Sequence, residues 1–144
     1  MAQDLVHNVK VGLELFPGAA ITSFVAGTAI DTQFYESILF AIIVGDFTSF
    51  SASNSLLFKV QESDTTTDGD FADVAAGDYL GAYREGVVGW DRLCDAATDD
   101  EKAYAIGVRA NTKRYKRVLP VETGTVSVVM AMAVVLGHNR HPPV

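Results

Sequence analysis

The stretch VSVVMAMAVVLG, residues 126–137, holds no charge, although the chain carries a formal net charge of −7. Val126, Val128, Met130, Met132, Val134 and Leu136 fall on one parity; Ser127, Val129, Ala131, Ala133 and Val135 fall on the other. Large side chains on one parity and small ones on the other repeat with period two, the period at which a β-strand shows alternate faces. The β-branched valines also favour a strand over a helix. A bilayer-spanning helix needs about 20 apolar residues, and this run is too short. The pattern predicts a central strand whose larger face fills a core and whose smaller face lies close against something else.

The same reading extends to other runs. SILFAIIVG, 37–45, is continuously apolar and predicts a strand buried on both faces. LLFKVQES, 56–63, alternates, with Leu57, Lys59 and Gln61 on one side and Phe58 and Val60 on the other. AYAIGVRA, 103–110, and RYKRVLPV, 114–121, lie only a few residues apart and predict a hairpin. GTAIDTQFY, 27–35, is a weaker strand candidate. Pro17-Gly18, Ser51 to Ser55, Asp68-Gly69 and Thr123-Gly124 supply turns between the runs. Short strands at this spacing predict an all-β fold, an antiparallel β-sandwich or jelly-roll-like barrel. One long loop, residues 82–102, interrupts it and is expected to hold a short helix around Trp90 to Ala97. Residues 1–16 read as an N-terminal arm or edge strand, and 17–144 as a single domain.

Composition narrows the function classes. Hydrophobic residues are 49% of the chain and charged residues 20%, which argues for a folded core rather than disorder. Cys94 is the only cysteine, so no intrachain disulfide can staple the fold, as in a reducing compartment. The start, MAQDLVHNVKVGLELF, lacks the basic-then-apolar order of a signal peptide. A soluble chain with no membrane association is expected. Residues 61–101 hold twelve acids against Arg84 and Arg92, while Arg109, Lys113, Arg114, Lys116 and Arg117 fall within nine positions. This unevenness predicts two differently charged faces, which matter for association more than for fold.

Each candidate site for chemistry also has a plainer role. In DTTTDGDFAD, 64–73, Asp64, Thr66, Asp68, Gly69 and Asp70 fit part of a calcium loop, but the closing acid position is Ala75. A solvated hairpin loop is the expectation there. His7, His138 and His141 with a single cysteine make no standard zinc set. WDRLCDAA places Cys94 as a small buried residue on a short helix, without a nucleophile signature around it. TKRYKRV, 112–118, could meet nucleic-acid phosphates, yet the sequence pI is about 4.7, and a solvated or partner-facing strand fits better. No catalytic constellation, cofactor site or metal site is expected.

The order FKVQESDTTTDGDFADV, YAIGVRANTKRYKRV and VVLGHNRHPPV resembles small virion proteins of tailed bacteriophages over residues 27–144, with 82–102 poorly matched. Its motifs are Ser63 and Asp64, then Tyr115, Arg117 and Val118, then Gly137, Arg140, Pro143 and Val144. The resemblance implies a sandwich-like decoration, or cement, protein on the outer capsid surface, made in the bacterial cytoplasm. Its partners would be the major capsid protein and neighbouring copies of itself, as a dimer or trimer. A head-completion or tail component shares these features, and a carbohydrate-binding sandwich with Trp90, Tyr79 and Tyr83 as a stacking platform is the rival of a different class. Capsid or subunit contact is assigned to two sets. Val9, Val11, Leu13 and Leu15 alternate along a strand that could pair with a neighbour, and Lys113, Arg114, Lys116 and Arg117 form a cationic patch.

Overall fold

The uncharged stretch forms β10 (Val128–Asn139), flanked on both sides by other strands as its alternation predicts. The computed structural model describes residues 9–15, 20–47, 50–80, 92–99 and 101–139. Beside β10 run β1 (Val9–Leu15) and β3 (Tyr35–Phe47), and beyond β3 lie β8 (Lys102–Arg109) and β6 (Tyr79–Leu80). This first sheet has the order β1-β10-β3-β8-β6. The second sheet has the order β2-β9-β4-β5, from β2 (Ile30–Asp31), β9 (Tyr115–Thr123), β4 (Ser55–Ser63) and β5 (Ala72–Asp73). A short β7 (Arg92–Cys94) also pairs with β4. The pairings between these strands are antiparallel, and the two sheets pack together as an all-β sandwich.

The core lies between the sheets because each contributes one apolar face. Ile38, Phe40, Ile42 and Val44 of β3 join Met130, Met132, Val134 and Leu136 of β10 and Ile106 and Val108 of β8. Opposite them stand Leu56, Phe58 and Val60 of β4 and Val118 of β9. The alternation read in β4 is therefore the alternation of burial. At the Thr123-Gly124 turn, Gly124 has φ +73°, and a Cβ there would sit 2.1 Å from the Ser53 carbonyl oxygen. Only glycine avoids both the strain and the clash.

Four expectations are corrected. First, β3 is buried on one face only: Leu39 and Ile43 are exposed. An apolar run reads as two buried faces when periodicity has no polar residue to show which side is out. Second, β8 and β9 do not form a hairpin. β8 pairs with β3, and β9 pairs with β4, so the chain crosses from one sheet to the other at residues 110–114. The crossing sends the apolar faces of both strands into one core, which a hairpin in one sheet would not do. Thr32 pins it: its amide donates to the Arg114 carbonyl at 2.8 Å, and its hydroxyl lies 3.0 Å from the Ala110 carbonyl. Third, the segment expected to be helical around Cys94 is strand at Arg92–Cys94, followed by a 3-10 turn at Ala97–Asp99. Cys94 is buried, as expected; Trp90 lies outside the described residues. Fourth, of GTAIDTQFY only Ile30–Asp31 pairs as β2, before Tyr35 opens β3.

Candidate functional site

The four cations assigned to partner contact lie together at one end of the sandwich, and each meets an acid of the same chain. Lys113 Nζ is 2.7 Å from Asp64 Oδ2, and Arg114 forms a two-pronged pair with Asp31 at 3.1 and 2.8 Å. Arg117 pairs with Asp68, lies over the Phe71 ring at 4.0 Å, and donates to Gln61 Oε1 at 2.9 and 3.1 Å. Lys116 is fully buried; its Nζ donates to Glu62 Oε2 at 2.7 Å, and to Thr112 Oγ1 and the Lys113 carbonyl at 2.9 Å each. Burial pushes the Lys116 pKa down, against the opposing pull of Glu62.

Register explains the pairing. Glu62 lies directly opposite Lys116, and Gln61 opposite Arg117, in the β4–β9 ladder. Across the β4–β5 pair, Lys59 and Gln61 both donate to Asp73, at 3.0 and 3.1 Å. Glu62, Asp64 and Asp68 thus meet Lys116, Lys113 and Arg117, while Asp31 meets Arg114. At these residues the acidic and basic runs, distant in sequence, interlock in space instead of forming separate faces. The 64–73 loop is the hairpin loop between β4 and β5, with Asp64, Asp68 and Asp73 engaged by cationic side chains.

Asp31, Asp64 and Asp73 all titrate below the ordinary value of 3.8, chiefly through hydrogen bonds from Arg114, Lys113 and Lys59 respectively. A depressed folded pKa stabilises the fold above the unfolded value and loses that contribution as pH falls through the folded value. The contribution of these exposed pairs is whole above about pH 5, declines below about pH 4, and is screened by salt. The thermal midpoint is therefore expected to drop in acid more steeply for the wild type than for the triple variant Asp31→Asn, Asp64→Asn, Asp73→Asn. Equal slopes for the two would remove these carboxylates as the cause.

The other assigned set lies in β1, which pairs with β10 in the same chain. Val9, Val11 and Leu13 take Gly137, Val135 and Ala133 as Cα partners, and Leu15 takes Met132 after a register shift. This strand borders a broader feature that the sequence reading missed. Directly opposite residues of an antiparallel pair share a face. One row across the sheet is Val11, Val135, Leu39, Gly107 and Leu80; a second contains Ala133, Ala41 and Ala105; a third contains Ala131, Ile43 and Ala103. None of these residues is charged. Val11 is 69% exposed, Ile43 53%, Leu39 38% and Leu80 36%. The middle of the outer face of the first sheet, across these three rows, is thus an uncharged apolar surface bounded by Arg109 at one end, whereas the outer face of the second carries Lys59, Gln61, Asp73 and Arg117. The signal was present in the small parity of 126–137, whose predicted close neighbour is no described element of this chain.

The remaining candidates are placed as follows. Tyr79 is partly buried and packs against the core; Trp90 and Tyr83 lie outside the described residues. His7, His141, Arg140, Pro143 and Val144 also lie outside them, and Gly137 falls within β10. Among the described residues, no group of three or more His, Cys, Asp or Glu side chains is arranged to hold a metal ion. No helix among them is long and apolar enough to cross a membrane. No protein-family model matches the chain, and no curated protein matches it in sequence.

Proposed function

We propose that the chain is a noncatalytic structural protein that attaches to the outside of a tailed-bacteriophage capsid and stabilises it. The observation that supports an assembly role is the uncharged middle of the outer face of the first sheet, with Val11, Leu39 and Ile43 exposed together. Contiguous apolar surface of this breadth favours protein–protein contact, since a monomer gains nothing by exposing it. The choice of a capsid as the larger partner comes from the resemblance in the 58–74, 104–118 and 134–144 segments. Because the four cations of the 113–117 cluster are already paired within the chain, apolar contact rather than charge holds the assembly.

The test is to incubate the purified chain with capsids of the phage that encodes it, then sediment and image the particles. Saturable attachment that survives about 1 M NaCl, where charge attraction beyond about 3 Å is screened, is the expected result. A raised rupture temperature should accompany it. Failure to co-sediment at any salt concentration would reject the capsid reading. Attachment at six or twelve copies per particle would instead identify a ring component.

A further inference from the structure

We infer that the apolar outer face of the first sheet packs against the same face of a second copy, with the strands of the two copies antiparallel. This inference rests on the face being a protein contact surface, and not on the identity of the larger assembly.

Area fits a weak pairing. Four strands at about 4.8 Å over the length of Ser37 to Ile43 at about 3.3 Å per residue, with the two residues of β6 beside them, outline about 475 Å². A pair of faces then buries about 950 Å², the size of a weak, transient contact.

Shape supports it as well. Ala41 sits at the centre of β3, with Leu39 two residues to one side and Ile43 two to the other. A two-fold axis through Ala41, lying between the sheets and across the strands, exchanges these two projections. It sets Leu39 of one copy against Ile43 of the other, and the small Ala133, Ala41 and Ala105 row against its own copy, at the packed-sheet spacing of about 10 Å.

Charge selects the orientation. Arg109 is exposed at one end of the face, opposite Ser37, and Asp46 is exposed at the other end of β3. The same two-fold axis brings Arg109 of one copy to Asp46 of the other. With the axis along the strands, the two arginines would meet each other and the two aspartates likewise. The face between these ends is uncharged, so two chains of net charge −7 can approach through it with their acids held elsewhere.

Sedimentation velocity of the full chain over about 1–200 µM should show a monomer–dimer equilibrium. Ile43→Lys, at a half-exposed position, should weaken it at least about 100-fold while leaving the circular-dichroism spectrum unchanged, because it buries a charge in the contact and none in the core. Arg109→Asp or Asp46→Arg alone should weaken dimerisation several-fold, and the two together should restore it. A chain that stays monomeric to the highest concentration, or a dimer unmoved by Ile43→Lys, overturns the inference. A monomeric chain whose capsid attachment is lost in Ile43→Lys would overturn self-pairing and keep the capsid reading. A dimer disrupted by Ile43→Lys that never binds capsids would support self-pairing and reject the capsid reading.

Discussion

Replacing Phe40 with alanine should lower the unfolding free energy by about 4 kcal/mol, the usual range for a buried phenylalanine being about 3–5. Phe40 is fully buried in β3, between Val134 of β10 and Ile106 of β8 in the ladder. Strands hold it from both sides, so the void left by the ring can collapse little, and the cavity cost adds to the lost transfer energy. In a domain of this size, the thermal midpoint should fall by roughly 10–15 °C. Ile43→Ala, three residues along the same strand on the outer face, should cost under about 1 kcal/mol in the monomer. Urea unfolding of both variants, at a concentration below dimerisation, checks the pair. Similar losses at the two positions would mean that β3 is buried on both sides after all.

The second large effect is expected at Lys116. Removing it as Lys116→Ala should cost about 3–5 kcal/mol, because it leaves Glu62 without its cation at the end of the core. The Glu62 side chain is only 13% exposed, and Thr112 remains as a hydroxyl partner too weak to replace an ammonium. A buried ion pair also carries a large desolvation cost, so removing both charges differs from removing one. Lys116→Met with Glu62→Leu should come within about 1 kcal/mol of the wild type or exceed it. The linkage has the corresponding sign. The Lys116 pKa is lowered on folding, so holding it charged opposes folding below that value, and the penalty fades as pH rises towards the ordinary 10.5. Denaturant titrations of both singles and the double close the cycle. A Lys116→Ala loss below about 1 kcal/mol would show that water satisfies Glu62 and that the pair is not buried in solution.

Much of the sandwich was legible because period two is a property of the strand itself. Val128 to Leu136 and Leu56 to Ser63 show their inner residues by side-chain size and polarity alone. Leu39, Ala41 and Ile43 did not show that they face outward, since nothing polar marks that side. Proximity in sequence misled at 103–121, where a short connection crosses between sheets instead of turning within one. The helix expected near Cys94 failed because β4 offered an edge to Arg92–Cys94, and tertiary pairing outweighs the preference of so short a segment.

The cationic cluster shows the same division. Its bases could be counted in the chain, but the partners of Lys113, Arg114, Lys116 and Arg117, which are Asp64, Asp31, Glu62 and Asp68, lie 49 to 83 residues away. Sequence alone determined that this protein folds as paired strands around one core, because alternation is local and each strand carries its own record of it. Which charges meet, which apolar side stays outside, and which strands cross between layers were decided only by tertiary structure. Those outcomes depend on register between distant segments, and no single segment encodes its partner.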